Sequence, residues 1–230
     1  MGREMSKIMP NVALSIYPQM IHLGSKTQSQ IELEADNIVH NISSSNLFRS
    51  FPVNLRLLEY CNSKFSEKQV SRIDENFHQY SLGTKFPLNV PPRNVPAGVS
   101  CLVKKFFSGD VSGDIGEALF AYFLLIEMKI ESYRIAHTRP GKRGAFLVPD
   151  FLIWDDSFKL RTLVGTNQYP SPLLAEVKGF TGSLDVVRVS HALEQLKTLI
   201  LNSQYLGMVF LAVRNESQQR YNAYVLQVGS

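Results

Sequence analysis

The sequence predicts an α/β fold, a mixed β-sheet flanked by helices in the order αβββαββ, and three observations carry that expectation. Residues 109–230 hold short β-branched or aromatic runs bounded by Gly, Pro, Asn or Asp, which is the signature of strands. Two segments among them, residues 114–130 and 186–202, repeat apolar side chains at helical period. Helices that alternate with strands in this way bury their apolar faces against a sheet.

The elements follow in chain order. The helix over 114–130 opens on Asp114 as N-cap and presents Ala118, Leu119, Tyr122, Phe123 and Ile126. Phe120 and Leu124 make it apolar almost all round, so it is a buried helix. Strands are expected over 133–136, 145–154 and 173–178. The second helix, over 186–202, turns Val189, Ala192, Leu193, Leu196, Leu199 and Ile200 to the sheet. Two more strands, 208–213 and 221–228, complete the order. Nearer the N-terminus, residues 12–23 and 31–42 are strands or short helices, and the pattern does not decide between them. Residues 66–80 place Val70, Ile73 and Phe77 at helical spacing after Ser66, as an exposed amphipathic helix does. Pro87, Pro91, Pro92 and Pro96 make residues 85–98 an extended connector.

Composition narrows the class. The 230 residues are 44% hydrophobic and 19% charged, which describes a globular chain with a sizeable core and excludes disordered or fibrous proteins. The most apolar run, 118–126, is too short for the about 17 to 25 residues of a membrane span, and the first thirty residues hold no signal-peptide pattern, so no membrane partner is expected. Cys61 and Cys101, the only two cysteines, read as free thiols of a reducing compartment, hence a cytoplasmic protein. The net charge of +4 is a modest pointer to an acidic partner. Residues 1–108 carry 12 Lys and Arg against 8 Asp and Glu, and residues 109–230 carry 12 against 12, so the excess is N-terminal. The expected organisation is an N-terminal recognition, docking or dimerisation region, 1–108, and a core, 109–230.

Three charged residues interrupt apolar elements of that core. In the strand that contains Glu176, Val177 and Lys178, the side-chain period of two sends Glu176 and Lys178 to one face. Asp150 sits in the apolar run Phe146-Leu147-Val148-Pro149-Asp150-Phe151-Leu152, and antiparallel pairing of the two strands lets it approach Glu176. Two carboxylates held together repel unless a cation offsets them, and a divalent ion bound through oxygen is a physical reason for both to stay ionised. A lone Glu-x-Lys triplet is common and usually marks a solvated strand face, so the surrounding pattern has to carry the argument.

That pattern, Pro149-Asp150, twenty-five residues, then Glu176-Val177-Lys178, resembles the PD-(D/E)XK nuclease superfamily, whose restriction-endonuclease-like core is similar to the element order above. The resemblance covers roughly residues 109–230. It implies an Mg²⁺-dependent endonuclease, Mn²⁺ substituting, with Asp150, Glu176 and the Val177 carbonyl as metal ligands and Lys178 positioning or deprotonating the attacking water. It implies two further catalytic positions. Glu117, on the helix before the first strand, would complete the metal shell. Gln195, on the helix after the lysine strand, corresponds to a glutamine of RecB-like members, although those members continue with a tyrosine four positions later where this chain has Leu199. The bland reading of Glu117 is a capping box, with Asp114 as N-cap and Glu117 at N3. That of Gln195 is a polar helix residue.

Substrate contacts are read more loosely. Residues 138–144 form a basic loop before Asp150 in which Arg139, Lys142 and Arg143 can grip phosphates without reading sequence, and Arg188 shares a polar stripe with His191, Gln195 and Asn202. The partner is DNA, with RNA left open. A homodimer is expected for cutting both strands, and a separate protein for targeting or motor activity. Restriction, anti-phage defence, repair and recombination all fit such an enzyme. The rival is a non-catalytic nuclease-fold module that binds nucleic acid or scaffolds a complex. No nucleophile signature, glycine-rich phosphate loop or histidine cluster stands out in the sequence.

Overall fold

The computed structural model describes residues 12–54, 57–58, 61, 68–70, 113–131, 134–140, 149–154, 160, 173–201, 206–215 and 220–229. In chain order the elements are β1 (Val12–His22), α1 (Gln28–Asn41), β2 (Arg49–Val53), β3 (Lys68–Val70), α2 (Gly113–Tyr122), β4 (Ile135–Pro140), β5 (Phe151–Ile153), β6 (Leu173–Thr181), α3 (Val186–Leu201), β7 (Gly207–Asn215) and β8 (Arg220–Gly229). From α2 onward the order is helix, three strands, helix, two strands, as expected. The strands form one mixed sheet in the order β2-β1-β8-β7-β6-β5-β4-β3.

Alternation along the central strands sorts the core into two layers. Ala175 and Val177 of β6, Phe210 and Ala212 of β7 and Ala223 and Val225 of β8 pack with Ile115, Ala118 and Leu119 of α2. Their neighbours Leu174, Phe180, Val209, Leu211, Leu226 and Val228 pack with Ile31, Ala35 and Ile38 of α1 and with Val189, Ala192, Leu193 and Leu196 of α3. Helices cover both faces, which is why β6 and β7 read as continuous apolar runs rather than as alternating ones. The crossover through α3 joins β6 and β7 in parallel, while β5 and β8 flank that pair antiparallel.

The two segments that the sequence left undecided are one of each kind. β1 pairs in parallel with β8 from Ala13 opposite Arg220 to His22 opposite Gly229, and β2 closes on β1 antiparallel. α1 starts with a reciprocal cap: Gln30 N–H donates to Thr27 Oγ1 at 3.4 Å, and Thr27 N–H donates to Gln30 Oε1 at 2.7 Å. The described residues before position 55 therefore continue the same sheet and helical layer as the core, with no break in hydrogen bonding at the β1–β8 seam.

Several boundaries differ from expectation, each for a physical reason. α2 begins at Gly113, so Asp114 lies inside the first turn and is not the N-cap, and Glu117 is the fifth helical residue rather than N3 of a capping box. After Tyr122 the helix widens into a π-turn, Phe123–Glu127, and it ends where Lys129 takes a left-handed φ of 53°. β4 runs on through Thr138, Arg139 and Pro140, because β3 adds a parallel partner to those residues. The loop expected over 138–144 is thus partly strand, and Lys142 and Arg143 lie outside the described residues. β3 itself falls in the segment expected to be an amphipathic helix; pairing with β4 outweighs its local periodicity. The rest of that segment and the proline-rich connector lie outside the described residues. β5 starts only at Phe151, which leaves Asp150 in a bend ahead of the strand rather than within it. Among the described residues no helix is long and apolar enough to cross a membrane. Cys61 is a buried free thiol, its pKa pushed up to about 12 by burial, and Cys101 lies outside the described residues.

α2 meets β6 at backbone range. A Cβ on Gly116 would stand 3.1 Å from the Gly179 nitrogen and 3.3 Å from its Cα. Two glycines facing each other let the helix axis drop toward the strand, and the contact has no flexible side chain that can yield. Gly116→Ala is expected to destabilise the protein by about 1–3 kcal/mol in urea unfolding, the usual penalty of overpacking.

Candidate active site

The site forms where β5 falls short of β6. Their antiparallel ladder pairs Ile153 with Leu173, Leu152 with Leu174 and Phe151 with Ala175, and then β5 ends. Beyond that point no described strand pairs with this edge of β6. The Asp150 side chain takes over, with Oδ2 accepting a hydrogen bond from Val177 N–H at 2.8 Å. A strand residue sends its N–H and C=O to the same edge, so the Val177 carbonyl also projects to this gap.

Glu176 and Lys178 alternate with Val177 and share the opposite side-chain direction. Glu176 is 1% exposed, and it is the one ionisable side chain among the buried polar groups of the described residues. Its Oε1 accepts from Lys178 Nζ at 2.7 Å, and its Oε2 accepts from Asp150 N–H at 3.3 Å. Lys178 Nζ also stands 3.9 Å from Asp150 Oδ2. The three residues singled out in the sequence are thus brought into one cluster around a single ammonium.

Burial and crowding set the protonation. Burial is the largest influence on both carboxyl groups. It pushes Glu176 up to about 7, with repulsion from Asp150 adding to the rise and the Lys178 ammonium and the Asp150 N–H opposing it. Asp150 is raised as well, by burial and by Glu117, against the pull of Lys178, the Val177 N–H and His137. These carboxyl groups hold protons more tightly than free ones, as expected where negative charges gather without enough positive charge.

Glu117 reaches the cluster from α2. The close approach of Gly116 to Gly179 brings the helix against β6 one residue beyond Lys178. Glu117 Oε2 stands 3.2 Å from His137 Nε2, so this carboxylate is paired with a histidine rather than with Lys178. His137 was not singled out in the sequence, where it is one of five scattered histidines. Its ring stacks on Phe151 with centroids 4.6 Å apart and planes 9° from parallel. Only the pairing of β4 with β5, which sets His137 opposite Phe151, brings it here.

Gln195 lies on α3, over the face of the sheet that carries Glu176 and Lys178. Arg188 marks the register, its guanidinium 4.6 Å from the centre of the Phe180 ring. Seven residues along α3 advance about 10 Å, equal to about three residues back along β6, which sets Gln195 over the stretch around Val177. Gln195 Oε1 is buried and has no hydrogen-bond partner. A buried amide oxygen without a partner is costly in a merely structural role. His191 is exposed, and Arg139 is on β4.

The donor set suits a hard divalent cation: two adjacent carboxylates and a strand-edge carbonyl, all oxygen. Among the described residues no three His, Cys, Asp or Glu side chains form a ready-made metal cluster, so two side chains and a backbone oxygen are the set on offer. No family model, curated protein or solved structure matches the chain.

The raised carboxyl groups give a pH prediction. A carboxyl group whose folded pKa lies above its unfolded value favours the folded state at low pH, and that contribution is lost as pH rises. For Glu176 the window runs from about 4.5, its ordinary value, to about 7. Metal-free stability in urea is expected to fall between pH 5 and pH 8, and Glu176→Gln should flatten the slope. Mn²⁺ should raise the melting temperature more at pH 8 than at pH 5.5, since protons compete for the same oxygens.

Proposed function

We propose that this protein is a Mg²⁺-dependent endonuclease of PD-(D/E)XK type that hydrolyses phosphodiester bonds in DNA, with a restriction-endonuclease-like core over 109–230. The observation that carries the reading is the meeting of Asp150, Glu176 and Lys178 where β5 ends beside β6. The order helix, three strands, helix, two strands supports it, as does Gln195 on the second helix, whose buried Oε1 has no hydrogen-bond partner.

Asp150, Glu176 and the Val177 carbonyl would hold the ion, and Mn²⁺ would substitute for Mg²⁺. The bound ion supplies Lewis-acid charge beside the scissile phosphate. The protein's own groups do the rest. Lys178 presents Nζ to the reacting phosphate, orients the attacking water by hydrogen bonding and offsets negative charge as the P–O bond to the leaving group breaks. Burial beside two carboxylates holds that ammonium at a fixed point, so little reorganisation is needed when charge develops. Gln195 offers an amide to the same phosphate. Arg188, exposed in the first turn of α3 with its guanidinium over the Phe180 ring, would contact the flanking backbone of the substrate. Arg139, Lys142 and Arg143 keep their proposed part in gripping the DNA, and the basic N-terminal region keeps that of docking a partner or a second copy.

One observation favours a non-catalytic module instead. Lys178 already satisfies Glu176 at 2.7 Å and Asp150 already caps Val177 N–H, so the trio is internally complete as a structural network. The two readings part on metal and on cleavage.

Purified protein should cut duplex or single-stranded DNA in Mg²⁺ or Mn²⁺, and Lys178→Ala should lower the rate by about 10²–10³, the range for loss of a group that stabilises developing charge. An RNA control tests the sugar preference. A wild-type protein that takes up no divalent ion and cuts neither DNA nor RNA would leave the scaffold reading standing.

A further inference from the structure

Glu117 and His137 form a second polar pair beside the proposed metal site, and nothing in the lysine cluster accounts for it. The His137 side chain is 11% exposed and that of Glu117 28%, so the contact is largely shielded from water. His137 is fixed on two sides. Its Nε2 lies 3.2 Å from Glu117 Oε2, and its ring lies flat on Phe151, the residue that follows Asp150. Stacking fixes the plane of the ring, and in that plane Nε2 stands at ion-pair distance from a carboxylate on a different element. β4 pairs His137 with Phe151, whereas α2 carries Glu117, so the contact ties the helix to the start of β5.

We propose that His137 is a positioning residue that holds Glu117 as the outer carboxylate of the cation site, at a set distance from Asp150. The proposal rests on the metal-dependent reading above. Its physical basis is the one that governs outer partners of metal ligands in general: an orienting hydrogen bond is worth about 10- to 100-fold in metal affinity or activity. His137 itself takes no ion and touches no substrate. It acts through Glu117.

Two substitutions separate the donor from the ring. His137→Phe keeps the stack on Phe151 and removes the N–H, whereas His137→Gln keeps an amide donor of similar reach and removes the stack. Mn²⁺ binding is measured by titration calorimetry on wild type, both variants and Glu117→Gln, with thermal melts of each metal-free protein and with kcat and KM for DNA at fixed metal. The expected result is that His137→Phe melts close to wild type, binds Mn²⁺ about 10-fold more weakly and loses kcat with KM for DNA unchanged. His137→Gln should recover most of the affinity, and the double variant with Glu117→Gln should be no worse than Glu117→Gln alone. Wild-type affinity in His137→Phe, or equal loss in both histidine variants, overturns the positioning role while leaving the nuclease reading intact. If wild type takes up no Mn²⁺, both fall together. If His137→Phe fails to fold, the comparison of His137→Gln with Glu117→Gln decides the same point, since a positioning role requires the first to bind more tightly than the second.

Discussion

Taking Glu176 out of water costs several kcal/mol unless its charge is offset, and the geometry around it reads as the answer to that cost. Lys178, two residues on and on the same face, supplies an ammonium to one oxygen. The Asp150 N–H serves the other. Because β5 stops one residue short of this point, Asp150 is free to turn its carboxylate to the exposed edge of β6 while its backbone serves Glu176. The pair offsets the burial only in part, and Glu176 remains raised to about 7. Glu176 and Asp150 therefore hold protons more readily than free carboxyl groups do, because burial disfavours their charged forms.

The fold supplies this setting through its depth. β6 is a central strand with helices on both faces, so Glu176 is buried although it interrupts an apolar run, and Lys178 is largely covered beside it. Lysine and glutamate at such positions in an edge strand would be solvated and unremarkable. The same depth explains the glycines. Gly116 and Gly179 let α2 approach β6 closely enough for Glu117 to be felt at Asp150, a contact that one added carbon would push apart.

The described N-terminal residues matter in the same structural sense. β1 lies along β8 for ten paired residues and α1 packs beside α3, which widens the sheet and covers the helix that bears Gln195. Among the described residues the sheet is continuous from β1 through β8 and β7 to β6.

Much of the candidate site was legible in the sequence because strand periodicity is local: Glu176 and Lys178 must share a face once the segment is extended, and antiparallel pairing of the strands lets Asp150 approach them. The order of helices and strands was legible for the same reason, as apolar period survives in a single sequence. What the sequence alone determined is therefore the α/β class, the element order and the three charged residues in one neighbourhood. Tertiary structure decided the rest. A strand end is fixed by where its partner stops, which is why Asp150 sits in a bend, and β3 is a strand only because β4 is beside it. His137 enters the site through cross-strand register and ring stacking, neither of which leaves a mark on its own stretch of sequence. Glu117 could be read either as the acid that completes a metal shell or as a cap; its pairing with His137 depends on the packing of a helix on a glycine, a contact made across more than sixty residues of chain.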